Sequence, residues 1–93
     1  MFVHLSIHYP KPEHERDLID SMHRFGAAVQ GAPGLRHAFT LKDEATGRLV
    51  GLMVWDSRER RDAVIERSRA AVEHDDFDLW EEREPEGFAL DEV

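Results

Sequence analysis

Six histidines stand in this chain of 93 residues, and three of them fall where strands are predicted. His4 and His8 lie on the first predicted strand, and His37 lies on the second. A neutral imidazole near pH 7 takes a proton from a phenol or an activated carbon acid. Facing strands would bring His4 or His8 close to His37, so these three are the first candidates for acid–base chemistry. In the alternative interpretation they line an interface or accept surface hydrogen bonds.

Trp55 closes the most apolar segment of the chain. Its ring would wall a pocket and stack on an aromatic ligand, or else fill a junction between sheet and helix. No metal site is predicted, because His4 and His8 stand about 13 Å apart along a strand, too far for one ion. Cysteine is absent, and no glycine-rich phosphate loop is visible. We therefore expect no flavin, haem or metal cofactor.

The apolar segment is the organising strand of the fold. Leu49 to Trp55 is apolar throughout except at Gly51, and such a run indicates a strand buried on both faces. Asp56 or Ser57 then caps a helix, with Glu59 at the capping-box spacing from Asp56. In so short a chain, helices would cover one face of this strand. We expect a second copy of the chain to cover the other.

The other elements follow from the spacing of apolar residues. On the second predicted strand, Leu35, His37, Phe39 and Leu41 share one face. The prediction comprises strands at Phe2–Tyr9, Leu35–Lys42, Leu49–Trp55 and Gly87–Leu90, and helices at about Pro12–Gln30 and Arg58–Glu73. Between Asp75 and Glu82 it places a short docked segment or one turn of helix around Phe77–Trp80. The second helix should turn Val64, Ile65, Ser68, Ala71 and Val72 inward. The order β-α-β-β-α-β predicts one α+β domain over residues 1–93, ferredoxin-like, with an antiparallel sheet and both helices on one face.

Charge and composition narrow the classes of partner. The net charge is −8, and the segment from Glu73 to Val93 holds ten acidic residues and one basic residue. This argues against nucleic-acid binding, which requires a basic surface, and most of the acidic segment is interpreted as a solvated surface. No stretch approaches the roughly 20 apolar residues of a membrane helix. The N-terminal segment lacks the basic start of a signal peptide, so we expect a cytoplasmic protein.

Two segments carry a resemblance to a known family. The residues APGLRHAFTL follow the first helix, and LMVWDSRE joins the central strand to the second. Together with the element order, they resemble the dimeric α/β-barrel superfamily, and within it the antibiotic-biosynthesis-monooxygenase-like domains. The resemblance implies a homodimer in which two sheets face each other across a twofold axis. It also implies a cofactor-free oxygenase, in which the protein deprotonates the substrate and the substrate anion reacts with O₂ in a dry pocket.

The resemblance does not extend to the haem-degrading members of the superfamily. Those members use an Asn on the first strand, together with a Trp and a His on the second helix. Here His4, Ser6 and His8 occupy the first strand, and Val64 stands nine residues after Trp55. Haem degradation is therefore not expected.

Three functions remain open at this point. The first is a cofactor-independent monooxygenase acting on a small aromatic or polyketide-like compound. The second is a non-catalytic homodimer that binds a small ligand or serves a structural role, and the third is an isomerase or lyase using histidine-mediated proton transfer. In each ligand-binding case we expect the pocket between the sheet and the helices of one subunit, walled by Trp55. Its polar contact would be His37 or one of His4 and His8.

Overall fold

A computed structural model describes all 93 residues of the chain. The strands are β1 (Phe2–His8), β2 (Leu35–Lys42), β3 (Leu49–Trp55) and β4 (Glu86–Asp91), and the helices are α1 (Glu15–Ala27), α2 (Arg58–Asp62), α3 (Ile65–Ala71) and α4 (Phe77–Trp80). The strands form one antiparallel sheet in the order β2-β3-β1-β4. The predicted ferredoxin-like α+β fold is confirmed.

The register of the sheet decides which side chains meet the helices. Phe2 pairs with Trp55 and His4 with Met53, so these side chains share a face. Phe2, Met53 and Trp55 all belong to the buried hydrophobic cluster that packs against the helices. The helix-facing side of β1 therefore consists of Phe2, His4, Ser6 and His8.

The core lies where the end of β3 meets α2 and α3. Trp55 is fully buried there, and the cluster consists of Phe2, Val29, Ala32, Met53, Trp55, Val64 and Ile65. Ser68 is also fully buried, and its hydroxyl donates a 2.7 Å hydrogen bond to the carbonyl of Phe25. This hydrogen bond links α3 to α1, and it also gives the buried hydroxyl a partner.

The helices are shorter than the periodicity predicted. Before α1, residues Pro12–His14 form a 3-10 turn, and α1 ends at Ala27. The second predicted helix is divided into α2 and α3, because Val64 leaves the helical backbone region with φ −131°. Val64 and Ile65 are consecutive β-branched residues, which are weaker helix formers, and both are buried at this break. Ser57 is the cap, and its hydroxyl accepts a hydrogen bond from the backbone N–H of Arg60 at 3.2 Å.

Two predicted orientations differ in the structure. Leu35 does not share a face with His37, because the register of β2 shifts between these two residues and Leu35 packs against the core cluster. Such a bulge inserts one residue and reverses the face of the residues before it. In the second helical region Ala71 is exposed, whereas the other residues predicted to point inward are buried.

The sheet face opposite the helices is apolar and uncovered within one chain. We call this surface the open face; it consists of Val3, Leu5, Ile7, His37, Phe39, Leu41, Val50, Leu52, Val54, Phe88 and Leu90, together with Glu86 at its edge. Phe39, Leu41 and Leu90 are each between 46% and 48% exposed. An apolar patch spanning four strands is typical of an interaction surface. None of the helices is long and apolar enough to cross a lipid bilayer.

Candidate functional site

A cavity of about 680 Å³ lies between the sheet and the helices. Its floor contains a row of cross-strand neighbours with small side chains, Thr40, Gly51, Ser6 and Gly87, one from each strand. Because none of these residues reaches far above the sheet, the row leaves space beneath the helices. The roof is more apolar and includes Met22, Phe25, Val72 and Phe77.

The two glycines of the floor have different surroundings. A Cβ atom on Gly51 would lie 2.7 Å from the Ser6 hydroxyl and 3.4 Å from the methyl group of Met22. A Cβ atom on Gly87 would meet nothing within 4 Å. The middle of the floor is therefore closely packed, whereas the β4 end has room for a larger group.

His8 lines the cavity as half of a hydrogen-bonded pair with Glu81. Its Nδ1 atom lies 3.2 Å from Oε2 of Glu81, and the other oxygen of that carboxylate accepts the backbone N–H of Tyr9 at 2.9 Å. Glu81 is only 6% exposed. The pair thus places a carboxylate against one edge of an imidazole ring whose surface forms part of the cavity wall.

Backbone hydrogen bonds hold Glu81 in place. It follows α4, where the Asp76 side chain caps the helix by accepting the N–H of Leu79. On one side the N–H of Lys11 donates to the carbonyl of Trp80 at 2.9 Å, and on the other the N–H of Glu82 donates to the carbonyl of Tyr9 at 2.8 Å. These bonds fix the backbone on both sides of Glu81, and the N–H of Tyr9 and the ring of His8 hold its carboxylate.

His4 lines the same cavity in a different environment. Its ring packs edge-on against Phe25, with 6.2 Å between ring centroids. Its Nδ1 atom is buried and has no hydrogen-bond partner. Burial lowers the pKa of His4 below its usual range, and the positive charges of Arg61 and Arg69 lower it further. His4 is therefore neutral at pH 7.

The lowered pKa of His4 predicts a pH-dependent contribution to stability. The unfolded chain binds a proton at this residue more readily than the folded chain, so the protein loses stability as pH falls below 6.5, the ordinary pKa of histidine. We expect the unfolding midpoint of wild type, relative to that of His4→Leu, to decline as pH falls through this range. The measurement is urea unfolding of both proteins from pH 8 to pH 5. A difference that stays constant with pH contradicts the prediction.

His37 and Trp55 do not join His4 and His8 on the cavity wall. His37 lies on the open face, paired with Val54 and stacked on Phe39 with ring centroids 5.6 Å apart. Trp55 lies in the core and does not line the cavity. Within one chain, the predicted approach of His37 to His4 or His8 does not occur, because His37 projects from the opposite face of the sheet.

The sequence interpretation missed Glu81. It belongs to the acidic C-terminal segment that was interpreted as solvated, and 73 residues separate it from His8. No spacing rule connects two residues so far apart. The only signal in the sequence is weak. The predicted docked segment or helical turn around Phe77–Trp80 lies immediately before Glu81, and the structure confirms it as α4.

Comparison with known proteins identifies the fold. No protein-family model matches the chain, and no curated protein sequence does. A solved structure described as an antibiotic biosynthesis monooxygenase matches at 16% identity, with a TM-score of 0.77 over 100% of this chain and 99% of the other. Rv0793 from Mycobacterium tuberculosis matches at 15% identity, with a TM-score of 0.76 over 99% and 94% of the two chains.

A third structure, described as an anthrone oxidase-like protein, is about twice as long. It matches at 19% identity and a TM-score of 0.71, over 95% of this chain and 42% of the other. Identities this low support a statement about fold alone. The chain therefore has the ferredoxin-like fold of the antibiotic biosynthesis monooxygenase-like proteins, the fold that its sequence motifs predicted.

Proposed function

We propose that this protein is a cofactor-independent monooxygenase that acts on a small aromatic or polyketide-like compound. The observation that carries the proposal is a single cavity with a largely apolar roof and two strand histidines, His4 and His8, on its wall. Small-molecule sites have this character, with a few polar groups converging in an apolar enclosure. Solved structures named antibiotic biosynthesis monooxygenase and anthrone oxidase-like protein share the fold and add support.

The chemistry begins with proton transfer. A neutral cavity histidine removes a proton from an activated methylene group, and the resulting carbanion supplies the electron pair that O₂ accepts. The histidine returns its proton to the peroxide oxygen. Loss of water then leaves a carbonyl, so that R₂CH₂ and O₂ become R₂C=O and H₂O. One oxygen atom enters the product, and the other leaves as water with both methylene hydrogens.

The proposed active form is a homodimer in which the open faces of two chains pack together. The open face supports this because it presents apolar side chains from all four strands. Burial of this surface would supply the stabilisation that a core of this size lacks on its own. In this arrangement His37 belongs to the subunit interface rather than to the cavity.

Filling the cavity tests whether it is the site. A Cβ atom at Gly87 would meet nothing within 4 Å, so we expect Gly87→Phe to direct its ring into the β4 end of the cavity. In a screen of anthrones and phenols monitored by oxygen consumption, we expect at least a tenfold loss of turnover in this variant, equivalent to about 1.4 kcal/mol. Ala45→Phe is the control, because Ala45 is exposed in the turn between β2 and β3 and lies outside the cavity.

The outcomes separate the three functions. Turnover by Gly87→Phe equal to that of wild type would place the site elsewhere. A compound that binds without consuming oxygen favours the non-catalytic binding protein, whereas one that rearranges without consuming oxygen favours the isomerase or lyase. If no compound binds, the monooxygenase proposal fails.

A further inference from the structure

We propose that Glu81 is a positioning residue that holds His8 in the tautomer whose free nitrogen, Nε2, faces the cavity. The assignment of this nitrogen as the proton acceptor rests on the proposed function. The hydrogen-bonding arrangement itself does not, because it is a property of the chain without substrate. The inference distinguishes His8 from His4, which lines the same cavity.

The chemistry of the pair fixes the direction of its hydrogen bond. An ionised carboxylate has no proton to donate and can only accept. Oε1 of Glu81 already accepts the backbone N–H of Tyr9, and Oε2 lies 3.2 Å from Nδ1 of His8. Nδ1 must then carry the hydrogen. In a neutral imidazole the other nitrogen, Nε2, consequently holds the lone pair.

Nε2 is the nitrogen available to a ligand. Glu81 contacts the ring at Nδ1, so Nε2 lies on the other side of the ring. The buried polar atoms without a hydrogen-bond partner do not include Nε2. Because His8 lines the cavity from the helix-facing side of β1, we infer that this lone pair faces a ligand bound in that space.

His4 has no equivalent arrangement. No carboxylate contacts its ring, its Nδ1 atom is buried without a partner, and the charged groups that act on it are the guanidinium groups of Arg61 and Arg69. These positive charges disfavour protonation of the ring, which makes His4 a poor proton acceptor. The two histidines on one wall therefore differ in chemistry, and His8 is the one suited to act as a base.

The inference is tested by measuring the tautomer of His8 directly. Long-range ¹H–¹⁵N spectra of uniformly labelled protein distinguish the two tautomers of an uncharged imidazole. We expect the Nδ1–H form at His8 in the wild-type protein, although free histidine favours Nε2–H. This measurement needs neither a variant nor a substrate.

Glu81→Gln should reverse the tautomer. Glutamine keeps an oxygen for the N–H of Tyr9 and places an NH₂ donor opposite Nδ1, so the ring should move its hydrogen to Nε2. Glu82→Gln is the matched control, because the neighbouring glutamate has an exposed side chain and should leave His8 unchanged. For any compound that wild type oxidises, Glu81→Gln should lower kcat by about 10²–10⁴-fold, the range of general-base catalysis, with KM nearly unchanged.

Each result decides a separate claim. An Nε2–H tautomer at His8 in wild type, or an Nδ1–H tautomer that persists in Glu81→Gln, overturns the positioning role whatever the activity. The expected tautomers together with a kcat unaffected by Glu81→Gln overturn the assignment of His8 as the base. The expected tautomers without oxidation of any compound support the positioning role, and in that case the monooxygenase proposal alone fails.

Discussion

Leu52→Glu should convert the proposed homodimer into a monomer. Leu52 lies at the centre of the open face, flanked by Leu5 of β1 and Phe39 of β2. In a symmetric sheet-to-sheet interface the substitution places one carboxylate in each half. An unpaired charge in an apolar interface costs about 3–5 kcal/mol, so the dissociation constant should rise by at least two to three orders of magnitude. Light scattering at micromolar concentration should change from twice 10.8 kDa to 10.8 kDa.

The control for this prediction is another exposed leucine. Leu79 is 49% exposed on α4, away from the sheet, so Leu79→Glu adds the same charge and should leave the dimer intact. A specific interface buries more than about 1,000 Å², which two faces of four strands can provide. A wild-type protein that is monomeric at micromolar concentration contradicts the proposed sheet-to-sheet dimer. A Leu52→Glu variant that remains dimeric contradicts it as well.

Local periodicity was sufficient to predict the strands. Leu35–Lys42 and Leu49–Trp55 were predicted with the boundaries that the structure has, because two-residue alternation and continuous apolarity are both local signals. Alternation also separated His4 and His8 from Val3 and Leu5 correctly. It does not reveal which of the two faces the helices cover. Nor does it reveal which residues of neighbouring strands share a face. The strand pairing decides this, and it places His37 beside Val54 on the open face.

The candidate site depends on contacts between distant parts of the sequence. The floor of the cavity takes one small residue from each of four strands, and only the pairing of the strands brings these residues together. The His8–Glu81 pair joins the first strand to the residue that follows the last helix. Periodicity within a segment carries no information about such pairs. The sequence therefore predicted His8 as a candidate but not its partner.

The structure changes what is expected of Trp55→Ala. Read from the sequence, Trp55 was a candidate wall of the ligand pocket, but it is fully buried in the core, between Phe2 of β1 and Leu35 of β2 in the sheet. Removing a buried aromatic side chain costs about 3–5 kcal/mol, a large part of the 5–15 kcal/mol that is typical of a whole domain. Urea unfolding at a fixed protein concentration should show this loss, since concentration affects the stability of any dimer.

Trp55→Phe provides the matched comparison. The indole N–H of Trp55 is buried and forms no hydrogen bond, so phenylalanine removes an unpaired donor while keeping most of the aromatic volume. We expect Trp55→Phe to lose much less stability than Trp55→Ala, and ligand binding by folded Trp55→Phe to match that of wild type because the residue does not line the cavity. A Trp55→Phe protein that is stable yet binds aromatic compounds at least tenfold more weakly would indicate that Trp55 belongs to the binding site.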